Sequence, residues 1–226
     1  MSPIRVCIAG VGRMGQAIAV VVEEADDLSL AGIWRRGDDI DALAGSSDVL
    51  IDFSLPEATD QIISAATRHQ VALVCGVSGL SDQHMASLDE AAQSIAVVYD
   101  RNMSIGVAVL ENLVRQAAAA LGADFTVEVH ETHHVHKADA PSGTALKLGD
   151  AIAAERGTDP ADIHYESERR GEVPGDHTVI LSSATERLSL GHSVTTRQVF
   201  ADGAVKAARW IVNQPLGRFT MHDVLE

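Results

Sequence analysis

Short apolar runs and longer segments of helical period alternate along the first hundred residues. Runs with the length and β-branched content of buried strands occur at 4–9, 28–34, 49–53, 71–75 and 95–99. Apolar residues at helical spacing fill the intervals at 17–22, 56–68 and 81–93. Strands that alternate with helices predict an α/β fold with a Rossmann-like, doubly wound parallel sheet.

The pattern changes after residue 104. Ser104 is a candidate N-cap for a long helix to Leu121, and alternating positions then predict strands at 125–132, 177–184 and 186–194. One helix is expected at 143–156 and a last one at 204–212, whereas 157–174 is polar and predicted to be a loop, and a tail starts at 217. This composition predicts a second, α+β domain with a mainly antiparallel sheet.

A glycine motif joins the first strand to the first helix. Residues 10–15 read Gly10-Val11-Gly12-Arg13-Met14-Gly15, which is the GxGxxG pattern in the strand–helix context that gives it meaning. The first glycine permits the tight turn, the second lets a pyrophosphate approach, and the third lets helix and strand pack closely. We predict dinucleotide binding here; the alternative is a glycine-rich turn of another α/β protein.

The end of the second predicted strand indicates which dinucleotide is bound. NAD sites usually carry Asp or Glu there to hold the ribose hydroxyls, but this chain has Trp34-Arg35-Arg36. Guanidinium groups cannot accept hydrogen bonds from a diol, but they suit a 2′-phosphate. Arg35 and Arg36 therefore predict a preference for NADPH, with NADH possible, unless they are simply solvated surface arginines.

A cluster of ionisable residues follows the strand at 125–132. It comprises His130, His133, His134, His136 and Lys137, and the turn 139–143 leads directly into the helix at 143–156. The first N–H groups of a helix lack partners within it and favour an anion, and Ser142, Gly143 and Thr144 lie at this end. Proton donors beside such an anion site suit an acidic small molecule; the alternative is a solvated strand end.

The same cluster contains a pattern found in zinc proteases. Residues 130–134 satisfy HExxH, but that chemistry needs both histidines on one helical face. On a strand, His130 and His134 would lie about 13 Å apart, which is too far for one metal ion. We therefore predict no metal site.

Charge and cysteine content narrow the possible partners. The net charge of −15 argues against nucleic acid or an anionic membrane as a partner. No apolar run reaches 18 residues and no signal peptide precedes the first strand, so we expect no membrane span and a cytoplasmic location. Cys7 and Cys75 lie in strand-like runs, which favours buried reduced thiols.

With these residues in view, the chain resembles the dihydrodipicolinate (4-hydroxy-tetrahydrodipicolinate) reductases over nearly its whole length. The resemblance depends on the glycine motif, on Asp52-Phe53-Ser54, on 102–106 and above all on residues 131–145, which read ETHHVHKADAPSGTA. It implies reduction of 4-hydroxy-tetrahydrodipicolinate to tetrahydrodipicolinate, in lysine and diaminopimelate biosynthesis, by hydride transfer from a nicotinamide. Departures include Gly76-Val77-Ser78-Gly79, where the family usually has two threonines, and a shortened segment between 36 and 48.

The resemblance also implies roles for particular residues. His133 is the implied general acid, and Lys137 the cation that polarises the substrate. The implied carboxylate ligands are His134, Ser142, Gly143 and Thr144. The implied cofactor contacts are Gly10, Gly12, Arg13, Met14, Gly15, Arg35, Arg36, Gly76, Ser78, Asn102 and Met103.

The resulting domain assignment has two parts. Residues 1–103, completed by about 197–226, form the expected dinucleotide-binding domain, and 104–196 form the expected substrate-binding domain. Family members are usually homotetramers assembled through the second domain's sheet, so we expect one here, with a small dicarboxylate as substrate.

Two other classes of protein stay open. A dinucleotide-binding sensor would keep the glycines but tolerate loss of the acid, and the pair His133 and Lys137 argues against it. Another reductase on this fold, such as an imine or semialdehyde enzyme, would lack the turn at 141–144, and a semialdehyde dehydrogenase also needs a nucleophilic cysteine.

Overall fold

A computed structural model describes residues 2–225, and the chain divides into two compact units. The first unit runs to Ile105 and resumes at Gln198, and the second is Gly106–Arg197. In chain order the strands are β1 (Ile4–Ala9), β2 (Leu28–Trp34), β3 (Val49–Asp52), β4 (Ala72–Cys75), β5 (Ala96–Tyr99), β6 (Thr126–His133), β7 (His164–Arg169), β8 (Asp176–Ser182), β9 (Arg187–Ser193) and β10 (Gly217–Phe219). The α-helices are α1 (Arg13–Glu23), α2 (Ile40–Ala44), α3 (Pro56–His69), α4 (Asp82–Ala91), α5 (Ile105–Leu121), α6 (Gly143–Arg156) and α7 (Gln198–Ile211).

The first unit is a parallel sheet covered by helices on both faces. The strand order is β10-β5-β4-β3-β1-β2, and every pair is parallel. Alternate strand residues point to opposite faces, so Leu50 and Leu73 pack with Ile62 of α3 and Leu88 of α4 in one core cluster. Helices α1 and α7 pack together, and α7 covers β3, β4 and β5. The prediction of a doubly wound parallel sheet is confirmed.

Three elements of this unit differ from the sequence-based expectation. The last helix begins at Gln198 rather than 204, the tail supplies β10 as an edge strand, and α2 was not expected. β10 is only three residues long and half-buried, so it lacks an apolar run that could identify it. α2 is a single short turn capped by Asp39, whose carboxylate accepts from the N–H groups of Asp41 and Ala42.

The second unit is a four-stranded mixed sheet with two helices on one face. The order is β7-β6-β8-β9; β6 and β7 are parallel, and the β6–β8 and β8–β9 pairs are antiparallel. Val129, Val179 and Leu181 face Val114 of α5 and Leu148 of α6 in its core. The prediction of a mainly antiparallel sheet is confirmed.

The loop predicted for 157–174 is wrong in its centre, where β7 lies. Residues 164–169, HYESER, are largely exposed and carry charges on both faces. An edge strand has one neighbour, so it needs no apolar alternation, and β7 is defined instead by its parallel register with β6. In that register His133 stands opposite Arg169.

Helix α5 and the turn after it form a long, apolar segment. By length and composition alone, Ile105–Asp124, with a mean hydropathy of 1.2, could cross a membrane. Leu110, Val114 and Ala118 on this helix pack into the core of the second unit. One such helix is weak evidence for a membrane span, because core helices meet the same criteria.

The close approach of α7 to the residue 103 backbone leads to a stability prediction. A Cβ at Gly203 would lie 1.7 Å from the carbonyl oxygen of Met103. Glycine to alanine usually stabilises a helix interior, but here we expect Gly203→Ala to destabilise the fold by about 1–3 kcal/mol through overpacking. Thermal unfolding should show a lower Tm than the wild type. Asp202→Ala, on the exposed side of the same helix, is the control. A Tm for Gly203→Ala at or above that of the wild type would contradict this packing.

Candidate active site

Strand β6 carries two ionisable residues into the interior of the second unit. Side chains alternate along it, so Glu131 and His133 are buried while His130 lies on the other face and bonds Glu128 at 3.1 Å. β6 ends at His133. The motif His130-Glu131-Thr132-His133-His134 is therefore extended, and the described residues contain no group of three or more His, Cys, Asp or Glu side chains arranged to hold a metal ion.

Glu131 and His133 form a hydrogen-bonded pair. Burial alone would raise the pKa of Glu131, but hydrogen bonds from Arg169, Ser167 and His133 outweigh it and hold that pKa below its ordinary value. The ionised carboxylate can only accept, so His133 donates its Nδ1–H to Glu131 Oε2. The Nε2 atom of His133 is left facing Gly175, where a Cβ would lie 2.9 Å from it. Burial lowers the pKa of His133 and outweighs the opposing effect of Glu131.

Arg169 lies beside this pair, at the end of β7. Its Nη1 and Nη2 atoms donate to the two carboxylate oxygens of Glu131, both at 3.0 Å. The same guanidinium donates from Nε to the carbonyl of Lys137 at 3.1 Å and from Nη2 to that of Asp139 at 2.5 Å. Lys137 forms an ion pair of 2.8 Å with the Asp139 carboxylate. The turn that carries Lys137 is thus tied to the carboxylate behind His133.

The N-terminus of α6 is connected to His133 through His177. The Ser142 hydroxyl caps the helix by accepting from the Ala145 N–H at 3.1 Å, and it lies 3.1 Å from His177 Nε2. His177 packs edge-on against His133 with ring centroids 5.1 Å apart. Burial lowers the pKa of His177 to about 3, so this ring stays neutral and adds no charge beside His133.

The remaining residues expected to bind carboxylates lie close by in the chain and in the fold. Gly143 is the first residue of α6, and Thr144 follows it and is buried. His134 is partly buried just beyond β6, with a buried Nδ1 that has no hydrogen-bond partner. Because the Ser142 hydroxyl already caps the helix, backbone N–H groups are better placed than this hydroxyl to take up a ligand.

A cavity of about 310 Å³ lies beside the glycine motif in the first unit. Its lining combines two expected cofactor residues of the motif and both arginines with residues after β3; it consists of Gly10, Val11, Gly12, Trp34, Arg35, Arg36, Phe53, Ser54, Leu55 and Ala58. Arg35 and Arg36 are exposed. The cavity lies at the carboxyl ends of β1, β2 and β3, where parallel sheets bind ligands.

The three glycines of the motif have distinct surroundings. Gly10 has a φ of +117°, and a Cβ there would lie 2.6 Å from the Phe53 carbonyl oxygen. A Cβ at Gly15 would lie 1.9 Å from the Gly10 oxygen, so the helix packs directly on the strand end. A Cβ at Gly12 would meet nothing within 4 Å. Packing therefore explains two of the glycines, and the space at Gly12 is open to a ligand.

The other expected cofactor residues are distributed along the same edge of the sheet. Arg13 and Met14 open α1, and Gly76 and Ser78 follow β4, with Gly76 against the Phe53 ring. Asn102 follows β5 and accepts from the Ser104 N–H at 2.9 Å. Met103 is only 2% exposed, so its side chain belongs to the core and a contact with a ligand would have to use its backbone.

Residues to which the sequence analysis gave no individual role complete both sites. Glu131, Arg169 and His177 surround His133, and Trp34 and Phe53 line the cavity. Glu131 lies within the motif 131–145, two residues before His133 on the same strand face, which is a usable signal. Arg169 gives no such signal, because only the pairing of β7 with β6 brings it there.

Comparison with known proteins covers both units. A family model described as dihydrodipicolinate reductase, N-terminus, matches residues 4–103, and one described as dihydrodipicolinate reductase, C-terminus, matches residues 106–225. The 4-hydroxy-tetrahydrodipicolinate reductase of Zymomonas mobilis is 42% identical over 241 residues, which cover 96% of this chain and 95% of that protein. The enzyme of the same name from Halorhodospira halophila is also 42% identical, over 254 residues, with 95% of each chain covered.

Solved structures show the same architecture. Dihydrodipicolinate reductase from Paenisporosarcina sp. TG-14, bound to dipicolinate, superimposes with a TM-score of 0.83 at 22% identity, over 96% of this chain and 97% of that one. The diaminopimelate dehydrogenase of C. glutamicum superimposes with a TM-score of 0.65 at 16% identity, over 100% of this chain and 96% of that one. At these identities the structures establish the fold, and the family rests on the sequence matches. Those matches span nearly the whole chain, and the protein belongs to the dihydrodipicolinate reductase family.

Proposed function

We propose that this oxidoreductase reduces 4-hydroxy-tetrahydrodipicolinate to tetrahydrodipicolinate, with NADPH preferred over NADH, in lysine and diaminopimelate biosynthesis. The observation that carries the proposal is the buried pair of Glu131 and His133 beside Lys137 and the α6 N-terminus. That arrangement joins a proton donor, a cation and anion-binding N–H groups within the second unit.

The first unit fits a dinucleotide in both shape and charge. The open space at Gly12 suits a pyrophosphate at the N-terminus of α1. Arg35 and Arg36 line the same cavity at the end of β2, where a 2′-phosphate would lie in a βαβ nucleotide site. When bound, the reduced nicotinamide supplies the hydride.

The second unit supplies the groups that would bind and protonate the substrate. The N–H groups of Gly143 and Thr144 are placed to take one carboxylate, with His134 nearby. In our proposal Lys137 exchanges its ion pair with Asp139 for the substrate and stabilises charge that develops in the transition state. The conversion also releases the ring hydroxyl as water, and His133 would deliver a proton from Nε2 to the ring carbon.

The charge of the substrate would adjust the acidity of His133. In the free protein the pKa of His133 is lowered by burial, so this group is mostly neutral near pH 7. A bound dicarboxylate would place negative charge beside the His133 imidazole and raise its pKa. The protonated imidazole, which the reaction needs, would thereby be favoured. Substrate binding would thereby promote protonation of His133, the proposed proton donor.

The remaining proposals concern location, domains and assembly. We place dinucleotide binding in residues 1–103 with about 197–226, substrate binding in 104–196, and the protein in the cytoplasm. We also propose a homotetramer assembled through the second unit's sheet, whose face opposite α5 and α6 is not covered by these two helices. Light scattering on the purified protein would test it, and a monomer at micromolar concentration would contradict it.

A coupled assay tests the proposed reaction and the cofactor preference together. Dihydrodipicolinate synthase generates the unstable substrate in the cuvette, and oxidation of NADPH or NADH is followed by absorbance. We expect rapid oxidation, with a higher kcat/KM for NADPH. Equal consumption of both cofactors would keep the activity and remove the argument from the arginines, whereas consumption of neither would contradict the proposed function.

Substitution of the arginines tests the cofactor assignment separately. Charge-assisted hydrogen bonds contribute about 1.5–3 kcal/mol, so Arg35→Ser or Arg36→Ser should raise the KM for NADPH by about tenfold or more. The KM for NADH should change little, because it lacks the 2′-phosphate. Arg187→Ser, at an exposed position on β9, is the control and should change neither value.

Replacing the proposed acid tests the chemistry. His133→Gln keeps a polar side chain of similar length but cannot donate a proton in this pH range, so kcat should fall by about 10²–10⁴-fold. The Kd for NADPH should stay unchanged. In the wild type, turnover should fall as pH rises through the His133 pKa, because the protonated form is lost, and this dependence should vanish in the variant. Near-wild-type turnover in His133→Gln would rule out His133 as the acid.

A further inference from the structure

We propose that Arg169 is the positioning residue of this site: its guanidinium holds the Glu131 carboxylate behind His133 and the turn that carries Lys137 at the same time. The inference rests on the proposed function of His133 and Lys137. Arg169 itself contacts neither reacting group through its side-chain nitrogens; it acts through Glu131 and through backbone carbonyls.

The donor count of Arg169 is fully used. A guanidinium has five N–H groups in a planar fork. Two bind the oxygens of Glu131, and three bind the carbonyls of Lys137, Asp139 and Glu168, the last at 2.7 Å. An ammonium group has three donors at one point, so lysine could restore the charge at this position but not the set of bonds.

The bonds of Arg169 connect segments that are distant in sequence. The carboxylate lies on β6, the carbonyls of residues 137 and 139 lie in the turn before α6, and Arg169 ends β7. Without the fork, the turn would keep the ion pair of Lys137 with Asp139 but lose its two bonds to β7. The distance between His133 and Lys137 would then no longer be fixed by this contact.

The positive charge of Arg169 compensates for the burial of the Glu131 carboxylate. The Glu131 side chain is 0% exposed and that of Arg169 is 22% exposed, so the carboxylate has little access to water. A buried charge of this kind needs a partner within hydrogen-bond distance. The charged and titratable groups around His133 are Glu131, Arg169, Lys137 and the neutral His177. Of these, Arg169 binds Glu131 through both oxygens.

This arrangement fixes the tautomer of His133. With Glu131 ionised, the neutral imidazole carries its proton on Nδ1, and Nε2 is the atom that gains and loses the reacting proton. If Arg169 loses its charge, His133 becomes the main cation available to Glu131. His133 should then hold its proton to higher pH, while the turn is less well positioned.

The experiment separates charge from geometry with three full-length variants. Arg169→Gln removes both, Arg169→Lys keeps the charge, and Arg170→Gln changes the neighbouring exposed arginine, whose nearest carboxylate is Glu168 at 3.6 Å. The His133 imidazole is titrated by NMR, its tautomer is assigned from the nitrogen shifts, and kcat and KM come from the coupled assay.

We expect each variant to give a different combination of results. Arg169→Gln should raise the His133 pKa and lower kcat by about 100-fold, the loss that a misplacement of about 1 Å can cause. Arg169→Lys should keep the pKa near the wild-type value while kcat stays low. Arg170→Gln should match the wild type in both, and the KM for NADPH should stay constant throughout.

Several outcomes would overturn the assignment. Arg169→Gln with the pKa and kcat of Arg170→Gln would show that Arg169 positions nothing, and full kcat in Arg169→Lys would show that charge alone is enough. If the Arg169 variants do not fold, the His133 tautomer is measured in the wild type. A neutral His133 with its proton on Nε2 would contradict the proposal, because an Arg169-bound, ionised Glu131 requires the proton on Nδ1. If the wild type oxidises no cofactor, the proposed function fails. The NMR titration still tests whether Arg169 positions Glu131 and His133.

Discussion

A carboxylate without solvent exposure, at Glu131, is the constraint on which the second unit's site depends. Placing this charge on the inner face of β6 costs free energy unless donors surround it, and the fold supplies them from Arg169 and from the Nδ1–H of His133. These partners set the orientation of the His133 ring, and the first of them also anchors the turn before α6. The buried charge therefore organises the residues that would act on substrate.

The glycine motif of the first unit follows a different rule, because its geometry depends on close approach of the backbone rather than on a buried charge. Gly10 and Gly15 are required by close contacts within the protein, whereas Gly12 faces open space. Such a site is readable from sequence, since the strand, the glycines and the helix are contiguous in the chain. The doubly wound sheet could be predicted for the same reason: its central strands are short, buried and largely apolar, and helices with their own period follow them.

Less of the second unit could be predicted, for a physical reason that β7 illustrates. Its residues, HYESER, are polar on both faces because an edge strand has one neighbour and little core to cover. Hydrophobic periodicity cannot identify such a strand, and the segment was expected to be a loop. β10 was not predicted for a related reason, because it is three residues long and lies in a tail without an apolar run. In both cases the pairing partner, not the local sequence, determines the structure.

Strand β7 and the site residue Arg169 were therefore missed for the same reason. The motif at 131–145 contains the proposed acid, the proposed cation and the helix N-terminus in a single contiguous stretch, and each could be named from its sequence. The positive charge that balances Glu131 comes from 38 residues further on, and it reaches the site only because parallel pairing places Arg169 opposite His133. Without β7, Glu131 would be a buried carboxylate with a single histidine partner, and the favourable state would be a protonated acid or a charged pair. A strand at the edge of the sheet thus determines the protonation state at its centre.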